Sequence, residues 1–351
     1  MSRFFSEKYK ALVPYTPGEQ PRDMKYIKLN TNESPYLPSE KAIQMAADAA
    51  HNLQLYPDPE CNELHEKLAA LYGIDKSNVL AGNGSDEVLN FAFMAFCDSN
   101  CPARFPDITY GFYSVFAKLN NIPYTEIPLK KDFTIDISDY VGKNETIFIA
   151  NPNAPTGIAL SLDEIEKIVA SNPDSVVVID EAYVDFGAES AVSLISKYDN
   201  LLITQTFSKS RSMAGARLGV AIGCADLIND LNTIKYSTNP YNINRMTMAA
   251  GIGTLCDEEY TKKNCASIIE NREYAAERMK TMGFEMTPSV ANFIFATHKK
   301  IGGKELYTAL RERGILVRHF STPRLDKYNR ITVGSREQME ILCDTLEEII
   351  K

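Results

Sequence analysis

The chain lacks any apolar run long enough to cross a bilayer. Stretches such as Val176–Ile179 fall far short of the ~20 residues that a span needs. It is also poor in bases. Lys and Arg total 37 against 46 Asp and Glu, for a formal net charge of -9. Nucleic-acid binding requires a concentrated basic surface, so this balance argues against such a partner. The seven cysteines are odd in number and contain no Cys-x-x-Cys pair. That pattern fits a reducing cytosol rather than a disulfide framework, and a cytoplasmic location is expected. The four histidines form no His-Glu-x-x-His or similar cluster, so no metal site is expected. The opening residues, MSRFFSEKYK, mix charge with aromatics and do not read as a signal peptide. Internal repeats and low-complexity linkers are absent as well.

What is present is ordinary globular material. Of 351 residues, 44 % are apolar, enough for a core without metal or disulfide staples. The length suggests about two domains. In the middle of the chain short apolar strands alternate with amphipathic helices. Strands are expected at 146–150, 175–180, 200–204 and 217–223. Ser161-Leu-Asp-Glu164 is a capping box opening a helix to about Ala170, and another helix starts near Asp226. Strand–helix alternation with continuously apolar strands predicts a mostly parallel sheet between two helical layers. Ligands of such sheets lie at the carboxyl ends of the strands. The last third differs. A long charged helix runs from about Asp257 to Met282 and stops at Gly283. Short strands at 293–296, 315–318 and 330–333 follow, and Ser335-Arg-Glu-Gln338 caps the final helix. The expected division is an N-terminal arm at 1–45, a large domain at 46–255 and a smaller α/β domain at 256–351, with the arm belonging to the small domain.

Four segments following strands carry chemistry. Gly82-Asn-Gly-Ser-Asp-Glu87 is a glycine turn at a helix start, able to cradle a phosphate with Gly84, Ser85 and Asp86, or simply an ordinary capped start at Ser85. Asn151-Pro-Asn-Ala-Pro-Thr-Gly157 is a rigid turn. Val176-Val-Val-Ile-Asp-Glu-Ala-Tyr183 brings Asp180 to a sheet edge, where a buried carboxylate needs a cationic or hydrogen-bonding partner. Thr206-Phe-Ser-Lys-Ser-Arg-Ser-Met-Ala-Gly-Ala-Arg217 places a lysine in a Ser/Gly-rich loop, a candidate Schiff-base former.

Together these segments supply an amine for an aldehyde, an acid for a ring nitrogen, a nearby tyrosine and a phosphate cradle, the needs of a pyridoxal phosphate site. Their order and spacing resemble the fold type I pyridoxal-phosphate aminotransferases over essentially the whole chain, implying an aspartate aminotransferase-like architecture. The resemblance implies that Lys209 condenses with the cofactor's aldehyde and that Asp180 pairs with its ring nitrogen. Tyr183 then bonds the ring oxygen, while Arg217, with Ser208 and Thr206, grips the phosphate. Pro14-Tyr-Thr-Pro-Gly18, Leu29-Asn-Thr-Asn-Glu-Ser-Pro35 and Leu55-Tyr-Pro-Asp-Pro59 are similar to the histidinol-phosphate aminotransferase branch. That implies Tyr15 near the substrate phosphate and Tyr56 of the partner subunit on the cofactor phosphate, hence a homodimer with shared sites. Tyr110 matches the residue stacked on the cofactor ring. Arg330 matches the substrate-anion arginine, and Arg318 is a second candidate anchor.

Two positions depart from the pattern. Ala154 stands where most relatives have an asparagine that bonds the ring oxygen, so either Asn153 or Tyr183 with water is expected to take that role. Ile341 stands where some relatives have a further arginine. The activity implied is ping-pong transamination of L-histidinol phosphate with 2-oxoglutarate, giving imidazole acetol phosphate and L-glutamate. A threonine-phosphate decarboxylase-like enzyme and a broad aromatic aminotransferase are the enzymatic alternatives. A ligand-sensing regulator domain would need a preceding helix-turn-helix, for which the arm leaves no room. A nicotinamide-dependent dehydrogenase would need Gly-x-Gly-x-x-Gly after a first strand, which is missing.

Overall fold

The computed structural model describes residues 2–10, 12–13 and 18–351, so Tyr15 lies outside the described residues. Strands are β1 (Ile27–Lys28), β2 (Val79–Gly82), β3 (Ala103–Pro106), β4 (Tyr124–Ile127), β5 (Thr146–Ala150), β6 (Val177–Asp180), β7 (Leu201–Thr206), β8 (Gly219–Gly223), β9 (Phe284–Met286), β10 (Phe293–His298), β11 (Ile315–Leu316), β12 (Arg318–His319) and β13 (Asn329–Thr332). Helices are α1 (Glu40–Ala50), α2 (Asn62–Tyr72), α3 (Ser85–Phe96), α4 (Phe112–Leu119), α5 (Leu162–Ala170), α6 (Ala225–Thr238), α7 (Arg245–Leu255), α8 (Glu258–Thr281), α9 (Gly303–Glu312) and α10 (Arg336–Ile350). None of the described helices is long and apolar enough to cross a membrane.

The large sheet has the order β2-β8-β7-β6-β5-β3-β4. All its neighbours are parallel except β8, which runs antiparallel to both β2 and β7. Strict alternation sends successive residues to opposite faces. Ile147, Ile149, Val177, Ile179, Leu201 and Ile203 enter one core with residues of α2, α5 and α7. Phe148, Val178 and Leu202 enter the other with α3, α4 and α6. This is the three-layer α/β/α arrangement expected from the alternating sequence. Asp180 falls on the α3/α4 side and ends β6, so its carboxylate emerges where the core meets the sheet edge.

A second sheet, β12-β13-β10-β9, is antiparallel and packs with α8, α9, α10 and Leu29 in a separate core. The arm joins it. β1 pairs in parallel with β11, and the Thr332 amide donates to the Leu29 carbonyl at 2.9 Å. Helix α1 runs across residue 45 and packs on α7.

Several boundaries differ from expectation for local reasons. The strand expected at 315–318 is two, since Ile315–Leu316 bond β1 while Arg318–His319 bond β13. The strand expected from Arg217 begins at Gly219, because Arg217 adopts a left-handed φ of 58°. Ser85 is not a cap. It is the first residue of α3, Gly84 occupies the cap position with φ 84°, and no side chain caps the helix.

Candidate functional site

A cavity of about 590 Å³ opens at the carboxyl ends of the large sheet. Among the residues named from sequence, Ser85, Asp86, Tyr110, Asp180, Tyr183, Thr206, Ser208, Lys209, Arg217, Arg318 and Arg330 line it. They come from the turns after β2, β3, β6 and β7 and from β12 and β13. The arm adds Gln20 and Asn30–Glu33, which periodicity could not reveal.

Asp180 is buried, accepting from the Tyr113 hydroxyl at 2.9 Å and from Thr204 Oγ1 at 3.1 Å. Burial pushes its carboxyl up to about 6, against the lowering effect of those two bonds. No cation pairs with it among the described residues. Its neighbour Glu181 accepts from Ser190 Oγ (2.6 Å), the Ala191 amide (2.7 Å) and Gln205 Nε2 (2.9 Å), bracing the turn that carries Tyr183. Burial pushes Glu181 up to about 7.

Lys209 Nζ donates to the Thr31 carbonyl at 3.2 Å and lies 5.8 Å from the centre of the Tyr183 ring. Arg217 is half-exposed, pairs with Asp86 at 3.0 Å and reaches Ser208 Oγ at 3.5 Å. Asp86 also accepts from the Tyr110 hydroxyl at 2.5 Å. Burial and that carboxylate push the Tyr110 hydroxyl far above its ordinary range. Gly84 does not line the cavity, but it makes room for the cradle. A Cβ there would sit 2.6 Å from an Arg217 guanidinium nitrogen. Arg217, Ser208, Thr206 and Ser85 thus meet at the amide end of α3, a grouping of donors able to hold an anion.

The second cationic group comes from the other sheet. Arg318 and Arg330 are directly opposite in the β12–β13 pair. Each guanidinium lies 5.8 Å from the Phe320 ring, and Arg330 donates to the Asn30 carbonyl at 3.3 Å. Two planar guanidiniums on one wall of the cavity can hold a carboxylate or phosphate.

Two sequence-derived residues are elsewhere. The Asn153 side chain is turned away from the cavity. It donates to the Ile108 carbonyl (2.9 Å) and Thr156 Oγ1 (3.2 Å) and accepts from Thr109 Oγ1 (2.8 Å). With its amide bonded within its own loops, Asn153 does not cover for Ala154. Tyr56 is 77 % exposed, stacks on Tyr241 at 4.6 Å and does not line this chain's cavity.

Comparison with known proteins accords with this geometry. The model of the family "Aminotransferase class I and II" matches residues 24–346. The histidinol-phosphate aminotransferase of Brachyspira hyodysenteriae is 50 % identical over 353 residues, covering 100 % of both chains. That of Marinomonas sp. is 50 % identical, covering 99 % of this chain and 100 % of the other. Among solved structures, histidinol-phosphate aminotransferase from Sinorhizobium meliloti in complex with pyridoxal-5'-phosphate superposes with a TM-score of 0.89. It is 22 % identical and covers 100 % of this chain and 98 % of its own, a likeness of fold. On the family model and the full-length relatives, the chain belongs to the class I and II aminotransferases.

Proposed function

We propose that the protein transfers the amino group of L-histidinol phosphate to 2-oxoglutarate, giving imidazole acetol phosphate and L-glutamate, with pyridoxal phosphate as cofactor. The observation that carries this reading is the pairing of two separate anion sites around one lysine. Lys209 lines one cavity together with Arg217 and its serines from the large sheet and Arg318 and Arg330 from the small one. A phosphorylated cofactor and a phosphorylated substrate need one site each. The half-identical, full-length relatives bear the name of that activity.

The residues fit the cofactor on a point of chemistry. Asp180 is a buried carboxylate on the cavity wall without a cation, as a protonated ring nitrogen requires. Bound there, pyridoxal phosphate supplies an electron sink for the pair left when the substrate Cα–H bond breaks. Asp180 keeps the ring nitrogen protonated. Lys209, released as an amine, would take the proton from the substrate Cα as base and then, as acid, deliver it to the carbon that was the cofactor's aldehyde. Arg217, Ser208, Thr206 and Ser85 would hold the cofactor phosphate, and Tyr110 would pack against its ring. Arg318 and Arg330 orient the substrate phosphate or the 2-oxoglutarate carboxylate.

The same reading makes the enzyme a cytosolic homodimer in which Tyr56 reaches the partner's cofactor phosphate. Supporting it are the free state of all seven cysteines and the exposure of Leu37, Leu53, Leu55 and Tyr56. It also assigns residues 46–255 to a cofactor-binding domain and 1–45 with 256–351 to a smaller one. The β1–β11 pairing supports that grouping.

Initial rates test the proposal. With 2-oxoglutarate as acceptor, histidinol phosphate should exceed histidinol, the same amine without its phosphate, in kcat/KM by at least about a hundredfold, since a site built for an anion is left unpaired by a substrate lacking it. Lys209→Ala should lose the cofactor's visible absorbance and all transamination. Equal rates on both substrates, or carbon dioxide release in place of glutamate, would overturn the assignment.

A further inference from the structure

The cavity wall beside Lys209 has a gap in its polar lining. Ala154 offers only a methyl, packed with Ala291 and Phe293 and against Tyr183. Asn153 is tied up with Ile108 and Thr109 of the neighbouring loop and with Thr156 of its own. Of Ala154, Phe293 and Tyr183, only the tyrosine hydroxyl can bond a ring oxygen. Its ring is held edge-on to Phe293, with centroids 5.1 Å apart.

A phenolic hydroxyl has one proton, and its direction depends on what the oxygen accepts. Here the oxygen accepts from Asn32 Nδ2 at 3.0 Å. Asn32 is 1 % exposed, and its amide is oriented from the opposite side. Its backbone N–H donates to Thr332 Oγ1 at 2.9 Å, and the Thr332 hydroxyl donates back to Asn32 Oδ1 at 3.1 Å. Turning the amide over would leave the Thr332 proton without an acceptor in this network, so Nδ2 must face the tyrosine. Asn292 Nδ2 secures the Asn32 carbonyl at 3.0 Å. The backbone φ of 56° at Asn32 is a left-handed conformation that asparagine tolerates.

We propose that Asn32 is a positioning residue which, by donating to Tyr183, commits that hydroxyl's own proton to the ring oxygen of the cofactor, so that one directed donor serves where Ala154 provides none. This rests on the pyridoxal phosphate reading above. A donor to that oxygen draws off negative charge that would otherwise hold a proton on the neighbouring lysine-derived nitrogen. Without the donor, the nitrogen keeps its proton to higher pH.

The test is a spectrophotometric pH titration of the holoenzyme. Asn32→Asp keeps the shape but turns the donor into an acceptor that captures the Tyr183 proton. Asn32→Gly removes the side chain while suiting the left-handed backbone. Both should raise the midpoint of the cofactor's absorbance change by about one pH unit, the scale of one hydrogen bond to a charged group. Tyr183→Phe should raise it similarly, and adding Asn32→Gly, which brings no new charge, to Tyr183→Phe should move it no further. Far-ultraviolet dichroism of the same samples confirms folding. A wild-type midpoint in both Asn32 variants, or a full additional shift in the double variant, overturns the inference. If the wild-type chain shows no lysine-dependent absorbance with added pyridoxal phosphate, it is the functional reading that fails.

Discussion

At the residue scale, Asp180 shows how function and stability pull apart. Its carboxyl titrates near 6 in the folded chain, against an ordinary value of 3.8. Between those values the folded state holds a proton that the unfolded chain has lost, so stability falls as pH rises. The penalty is absent below about 3.8, complete above about 6, and worth about 3 kcal/mol in the cofactor-free protein. Asp180→Asn removes it, because the Tyr113 and Thr204 hydroxyls can each turn to suit an amide. Denaturant unfolding of the cofactor-free proteins should show the variant more stable at pH 7 and the gap narrowing towards pH 4.5. Its kcat should fall by at least about a hundredfold, through loss of the charge that holds the ring nitrogen protonated. Unchanged kcat would remove Asp180 from the mechanism. Residues of this kind were legible in the sequence, because the acid ends an apolar strand, the lysine and arginine share one Ser/Gly-rich segment, and the family resemblance implies a role for each. Asn32 was not, since its partners Tyr183 and Thr332 lie 151 and 300 positions away. Tyr113 and Thr204 were hidden for the same reason, since folding alone brings them to Asp180.

Elements explain why the cradle holds its shape. The expectation of a sheet-edge site followed from strand order, and apolar runs such as Val177–Ile179 located the central strands to within two or three residues. Edges of elements were less legible, because they depend on which neighbour bonds them. The chain at 315–319 leaves one sheet for another at Val317, a choice made by β1 and β13. Close approach of β8 to α3 is another such feature. A Cβ on Gly219 would lie 2.2 Å from the Ser85 nitrogen and 2.4 Å from the Gly84 carbonyl carbon, both backbone atoms that cannot swing aside. Gly219→Ala must therefore push the start of α3 away from β8, at about 1–3 kcal/mol. Ser85 and Arg217 sit on either side of that contact, so the anion site opens with it. The expected result is a lower urea midpoint together with at least about tenfold weaker pyridoxal phosphate binding, read by fluorescence titration. Gly215→Ala, in the same loop but with open space around it, should change neither. Equal behaviour of the two variants would show that the approach is not what shapes the cradle.

For the whole molecule, the question is whether one chain makes a complete site. Tyr56 is presented outward, held by stacking on Tyr241 and by Arg245, which donates to its carbonyl at 2.6 Å. Leu53 and Leu55 beside it, and Leu37, are also exposed. A rigidly mounted tyrosine among exposed apolar groups suits a surface that a second copy covers in an isologous pair. If each cavity borrows Tyr56 from its neighbour, two defects on different chains can be sorted into one site. Take Lys209→Ala and Tyr56→Ala, each nearly inactive alone. In a mixed dimer, the Lys209→Ala chain's own cavity lacks both groups. The other cavity has its lysine in place and receives an intact Tyr56 from the Lys209→Ala partner. Half the sites of every mixed dimer should then be fully active. Random re-pairing of an equal mixture makes about half the dimers mixed, so activity should return to about a quarter of wild type. The measurement is the steady-state rate after co-refolding equal amounts of the two variants, with each refolded alone as a baseline. A mixture no more active than the sum of its parts would mean that Tyr56 serves its own chain or none, and would leave the cavity complete within a single protomer.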